Sequence, residues 1–143
     1  MTNWCKNFLR VTGPAQDVSR FQQQAVAGAA AIGDTPEVFS FQSLVPLPEQ
    51  YRTSSAVDSD FGGPRQEWGC RCDARQSERV ETWDEGVVYR FATAWNPPLP
   101  FLRQVSQSWP TLVFVLDYEE PMLAYRGLAR AAAGSVQHFQ IAL

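Results

Sequence analysis

Two stretches of this sequence gather side chains able to bind a metal or move a proton: Cys70-Arg71-Cys72, and the acidic run Asp117, Glu119 and Glu120. A zinc site wants four ligands, usually in paired Cys-x-x-Cys or Cys/His sets. Here a single residue separates the two cysteines, and only Cys5 and His138, the sole histidine, remain to complete a set. A cysteine nucleophile would need that same histidine as its base. His138 falls in a strand-like segment near the end of the chain, where a structural or surface role is the simpler reading. The carboxylates Glu119 and Glu120, with Asp73, have the chemistry for acid–base work or for Mg²⁺. Acids at the end of a strand are more often solvated or paired with Arg. No glycine-rich phosphate loop occurs, and Gly62-Gly63 is an isolated pair. The expectation is no metal, no cofactor and no catalytic residue.

The other conspicuous side chains are aromatic. Five Trp and nine Phe lift the aromatic share to 13%. Trp68, Trp83 and Trp95, with Tyr118 and Tyr125, are either core or contact surface, since Trp and Tyr serve both. The periodic segments must spend their apolar faces on one core. A long stretch without periodicity, about 49–78, instead mixes Tyr51, Phe61 and Trp68 with Arg65 and Arg71. Aromatic and charged residues on a loop are the usual composition of an interaction site. The expected binding surface is therefore Tyr51, Phe61, Arg65, Trp68 and Arg71, joined by the turn Trp83-Asp84-Glu85. The alternative is an acidic and aromatic pocket built from Asp73, Trp95, Glu119 and Glu120, serving a sequestered small ligand or an enzyme.

The elements that would position these residues can be read from the pattern. Residues 7–12 alternate, with Leu9 and Val11 on one side and Phe8, Arg10 and Thr12 on the other. Gly13-Pro14 ends that strand and opens a helix, whose buried face is Val18, Phe21 and Ala25. Residues 38–45 read as a second strand, closed by Pro46 and Pro48. After the aperiodic stretch, 79–83 and 87–95 form a hairpin around Asp84-Glu85-Gly86. Asn96-Pro97-Pro98 starts a second helix, with Asn96 as cap and Leu102, Val105 and Trp109 facing inward. Residues 112–118 are apolar on both faces, as in an interior strand. Residues 122–132 and 136–142 form a last hairpin around Gly134. The order predicts an α+β, ferredoxin-like βαββαβ sandwich, with a long insertion after the second strand and an appended C-terminal hairpin. Leu9, Val11, Phe21, Phe91, Leu102, Val105, Phe114 and Leu116 are its predicted core, and the 143 residues suit one such domain.

Charge narrows the partners. Twelve basic residues against fifteen acidic ones give a net charge of −3, and Lys6 is the single lysine. Direct nucleic-acid binding is disfavoured, because phosphate recognition draws on a basic patch. Three cysteines, an odd number, argue against a disulfide framework, and the start carries no signal-peptide pattern. A cytoplasmic setting without a membrane segment is expected.

Several segments resemble one family. They are Asn3-Trp4-Cys5-Lys6-Asn7, Phe39-Ser40-Phe41 leading into Leu44-Val45-Pro46-Leu47-Pro48, Trp68-Gly69-Cys70-Arg71-Cys72-Asp73, Thr93-Ala94-Trp95-Asn96-Pro97-Pro98 and Tyr118-Glu119-Glu120-Pro121. In order along the chain, they are similar to the YubB ferredoxin-like family of plasmids, phages and integrated elements. Cys72 and Met122 depart from it, standing where Trp and Gly are usual. The resemblance implies the ferredoxin-like fold and an accessory role in a mobile element, with no activity to transfer. With it, the sequence predicts a non-enzymatic binding protein acting on a host protein or complex. Its sharpest form is an inhibitor of a host defence system, of the anti-CRISPR type.

Overall fold

The computed structural model describes residues 3–27, 37–48 and 64–143. Its elements are β1 (Trp4–Thr12), α1 (Ala15–Ala25), the single-turn helices α2 (Phe41–Leu44) and α3 (Pro64–Glu67), β2 (Arg75–Trp83), β3 (Gly86–Ala94), α4 (Leu99–Ser108), β4 (Val113–Glu120), β5 (Tyr125–Ala132) and β6 (Ser135–Ala142). The strands form a six-stranded sheet in the order β2-β3-β1-β4-β5-β6, every neighbouring pair antiparallel. The fold is α+β. β1 and β4 occupy the centre, and β2 and β6 are the two edges.

Strict alternation makes β1 the middle of the molecule. Cys5, Asn7, Leu9 and Val11 are buried beneath the helices, while Trp4, Lys6, Phe8 and Arg10 point to the other side and are exposed. Period-2 geometry requires this division once one face is covered. β3 and β4 repeat it with Tyr89 and Phe91, and with Phe114, Leu116 and Tyr118. α1 contributes Val18, Phe21 and Ala25 to the core, and α4 contributes Phe101, Leu102 and Val105. All eight predicted core residues are buried. Phe21 sits at the centre, edge-on to Phe114 at 5.5 Å and to Trp109 at 5.4 Å.

Three expected details differ. Residues 38–45 form no strand. Phe39, Ser40 and Phe41 are all buried, which alternation forbids, and Ser40 instead caps α2 by accepting from the Ser43 N–H at 3.3 Å. The strand paired outside β3 is β2, so the aperiodic stretch precedes the second strand and does not follow it. β2 also begins earlier than expected, at Arg75. Its pairing with β3 shifts register between Arg75 and Glu78 and again between Arg79 and Glu81, and Gln76 has a φ of 52°. Those irregularities erase the alternation that sequence reading depends on. Finally, α4 starts at Leu99 behind Pro98, and Asn96 does not cap it.

Phe114 packs against Phe21 at the junction of sheet and helix. Replacing it with Ala is expected to cost about 3–5 kcal/mol, the usual range for a buried Phe. Chemical denaturation of Phe114→Ala measures this directly.

Candidate functional site

The helix-side face of the sheet holds a buried polar cluster whose groups are spent on structure. Asn7, fully buried, donates through Nδ2 to the Cys5 carbonyl at 3.1 Å, to the Phe91 carbonyl at 3.4 Å and to Thr93 Oγ1 at 3.0 Å. Thr93 Oγ1 donates onward to the Asn96 carbonyl at 2.7 Å. The Tyr125 hydroxyl donates to the Trp95 carbonyl at 2.7 Å, in a loop where Trp95 holds a left-handed φ of 68°. Glu120 is buried and accepts from the Leu123 N–H, closing the β4–β5 turn, while its Oε1 has no partner among the described residues.

Asp73 is a second structural anchor. Its carboxylate accepts from the Phe41 N–H at 2.6 Å, the Gln42 N–H at 3.2 Å, the Ser40 hydroxyl at 2.7 Å and its neighbour Ala74 N–H at 2.7 Å. An anion on the free N–H groups of a helical turn is favourable for both hydrogen bonding and dipole reasons. It ties residues 40–42 to the entrance of β2. Trp68 belongs to the same layer. It is buried, packs at a tilt against Phe41 with ring centres 5.6 Å apart, and donates Nε1–H to the Val45 carbonyl at 2.9 Å. Its expected place in an exposed binding surface is therefore corrected: its indole N–H and its ring are both consumed inside.

The pocket expected from Asp73, Trp95, Glu119 and Glu120 is not assembled. Glu119 and Glu120 are consecutive in β4 and so face opposite sides of the sheet. Glu119 lies in register with Lys6 on the uncovered side, and Glu120 lies under the helix layer. Asp73 is committed to α2. Tyr51 and Phe61 lie outside the described residues, as does the side chain of Arg65, and Arg71 is partly exposed. Of the expected contact residues, Trp83, Asp84 and Glu85 do reach the surface. Among the described residues no three His, Cys, Asp or Glu side chains converge as a metal site would need.

The thiols are equally enclosed. Burial pushes the Cys5 thiol up to about 12, and burial with nearby Asp73 pushes Cys70 well above its ordinary value. Only Cys72 is partly exposed.

Among the described residues, the opposite face of the sheet is left exposed. Cross-strand register sets its rows. One row runs Phe139, Leu128, Asp117, Phe8, Arg90, Glu78 from edge to edge, and the next holds Arg126, Glu119 and Lys6. Arg126 pairs with Asp117 at 3.3 Å, and Arg90 pairs with Glu78. The Arg10 guanidinium lies 5.3 Å from the centre of the Trp83 ring, which covers Gly86; a Cβ at that glycine would stand 2.2 Å from the ring. Phe8 is 42% exposed and Trp4 44%, large values for aromatics on a central strand. Reading from the aperiodic stretch missed these residues. The signal was the alternation that set Phe8 and Arg10 opposite Leu9 and Val11.

Residues 68–141 match the family model described as the ferredoxin-like domain in Api92-like protein. The chain belongs to the Api92-like family. That C-terminal part is thus ferredoxin-like, within an α+β fold whose sheet has six antiparallel strands. The Api92-like fold extends to the rest of the chain as well. The crystal structure of protein Api92 from Yersinia pseudotuberculosis aligns over 97% of this chain and 98% of that one, with a TM-score of 0.69 and 11% identity. Such a low identity carries the fold alone. No curated protein matches the chain.

Three outcomes follow for these anchoring and enclosed groups of the Api92-like chain. Asp73→Ala strands the N–H groups of Phe41 and Gln42 and should cost about 1.5–3 kcal/mol, the range for hydrogen bonds to a charged group; urea unfolding reads it. For the cysteines, brief alkylation of the folded protein at pH 8 should label Cys72 and spare Cys5 and Cys70, as peptide mapping would reveal. The unfolded Cys5 thiol ionises near 9.0, but the folded one waits until about 12. Above pH 9 the unfolded state therefore binds fewer protons, and stability should fall as pH rises from 9 towards 12.

Proposed function

We infer that this Api92-like chain is a non-enzymatic binding protein that engages a host protein through the uncovered face of its sheet. The observation that carries this reading is the composition of that face: Trp4, Phe8 and Trp83 interleaved with Arg10, Arg90 and paired acids. Trp and Arg are the residues most often responsible for binding energy at protein interfaces. The backbone of Phe8 and Arg10 is paired on both sides without a register shift, so little order would have to be acquired there on binding. Glu78, Asp117 and Glu119 stand among the cations. A nucleic-acid backbone would meet carboxylates there, whereas a protein surface of mixed charge would find complements.

The resemblance to the YubB ferredoxin-like family supports a finer reading: an accessory protein of a mobile element, acting in the cytoplasm to inhibit a host defence system of the anti-CRISPR type. The aperiodic stretch with Tyr51, Phe61 and Arg65 is then an additional contact region, and the paired β5 and β6 are the appended hairpin.

The reading is tested in bacteria that carry an active CRISPR system and are challenged by a targeted phage. Expression of the chain should restore plaque formation. Phe8→Ala with Arg10→Ala should weaken that restoration at least ~tenfold, since a lost hot spot costs about that factor or more. Both side chains are exposed, so the melting temperature should hardly move. Normal phage restriction in the presence of the wild-type chain would overturn the defence-inhibitor reading. Full activity of a stable Phe8/Arg10 variant would overturn the assignment of the face.

A further inference from the structure

The two edges of the sheet are built differently. β2 carries Arg75, Glu78, Arg79 and Glu81, two register shifts and a left-handed residue at Gln76. Charges and bulges of this kind keep an edge strand from pairing with another chain. β6 has none of them. Its sequence, SVQHFQIA, contains no Lys, Arg, Asp, Glu or Pro, and it pairs with β5 over its full length without a shift. Phe139 is 75% exposed and Ile141 62%.

The hairpin turn fixes which backbone groups of β6 remain free. Ala133 and Gly134 both have positive φ, 48° and 85°, as a two-residue type I′ turn requires. In such a turn the flanking residues, Ala132 and Ser135, exchange hydrogen bonds. Bonding towards β5 then recurs at Gln137, Phe139 and Ile141, and the Leu143 N–H continues it by donating to the Ala124 carbonyl at 2.7 Å. The N–H and C=O groups of Val136, His138, Gln140 and Ala142 point away from the sheet. Among the described residues no backbone group meets them.

We propose that β6 is a homodimer interface: a second copy of this chain adds its own β6 antiparallel to this one, about a two-fold axis through Phe139. Only a self-complementary register satisfies a two-fold. With Phe139 on the axis, Val136 faces the partner's Ala142 and His138 faces the partner's Gln140. All four outward-pointing residues on each strand are thereby paired. These pairs would exchange about eight hydrogen bonds, two for each. Phe139 meets its own symmetry mate at a non-hydrogen-bonded position, where Cα atoms approach to ~4.5 Å and side chains pack closely. Leu128 lies behind it on β5, in register, and is half exposed. Pairing removes an uncharged edge with an exposed Phe139 at its centre from water and joins two six-stranded sheets into one continuous face.

The register makes the proposal testable residue by residue. In a Cys72→Ser background, Phe139→Cys should form a disulfide-linked dimer under mild oxidation, because the expected Cα separation lies within the range of about 4.4–6.8 Å that a disulfide spans. Gln137→Cys should not, since its counterpart in the partner is displaced along the strand by four residues. The wild-type chain should sediment as two copies. Phe139→Lys, which sets two like charges against each other, and Gln140→Pro, which removes an outward N–H, should sediment as one copy with unchanged circular dichroism. A wild-type chain that stays monomeric at high concentration overturns the proposal. So do equal crosslinking at 137 and 139, or open-ended polymers in place of a closed dimer. Should Phe139→Lys fail to fold, the cysteine pair still decides.

Discussion

Everything in this molecule is referred to the register of β1. It is hydrogen-bonded to β3 along one side and to β4 along the other, and every second residue is buried. A slip of one residue would carry Leu9 and Val11 into water and bring Lys6 and Arg10 under the helices. Apolar alternation alone penalises that slip. Asn7 adds a specific lock, because its buried amide reaches two of its three acceptors, on Phe91 and Thr93, across the β1–β3 ladder, where register decides whether they meet. A buried polar group left without partners costs more than its hydrogen bonds stabilise when made. Asn7 therefore acts chiefly against alternatives, and it does so at the point where three strands meet.

The parts of the fold that were legible in the sequence are those where this single-strand logic holds. β1, β3 and β4 alternate, α1 and α4 keep helical spacing, and Gly134 marks the last turn. Residues 38–45 were misread because Phe39 and Phe41 mimic alternation at a distance of two. The structure uses both rings on one core, 5.7 Å apart and edge to face, with Ser40 also turned inward. What decides between strand and helical turn there is Asp73, more than thirty positions further along the chain, whose carboxylate reaches the freed N–H groups. No local window contains that partner. β2 was shortened for the opposite reason: its bulges break a pattern that a regular strand would have displayed. The candidate surface followed the same rule. Phe8 and Arg10 were read on the side opposite Leu9 and Val11, yet Arg90, Asp117 and Trp83 come beside them only from other strands.

The aromatic excess resolves along the same division. Phe39, Phe41, Phe91 and Phe101 form one packed group, with ring centres between 4.5 and 5.7 Å apart. Such clusters fill the space between a twisted sheet and short helices with few rotamers to fix. Trp68 seals them on the side of α2. α2 is a single turn, yet it places Phe41 and Leu44 in this core. Among the described residues the exposed aromatics are therefore a small set, confined to β1, the β2–β3 turn and β6.

That confinement has a mechanical consequence. On β1, odd-numbered residues from Cys5 to Val11 hold the fold and even-numbered ones from Trp4 to Arg10 face outward, so the core and the uncovered face draw on the same nine residues without sharing a side chain. A change at Leu9 acts on packing, where lost volume leaves a cavity. A change at Phe8, one peptide unit away, acts on the surface and leaves the ladder hydrogen bonds intact. The strand holds its outward residues at fixed spacings of about 7 Å along the chain and 5 Å across it, which no loop of similar length would keep. Because β1 is central, both neighbours hold that geometry rigid. The outer strands carry no such double burden: β2 sacrifices regularity to protect its edge, while β6 keeps its regularity and leaves its edge open.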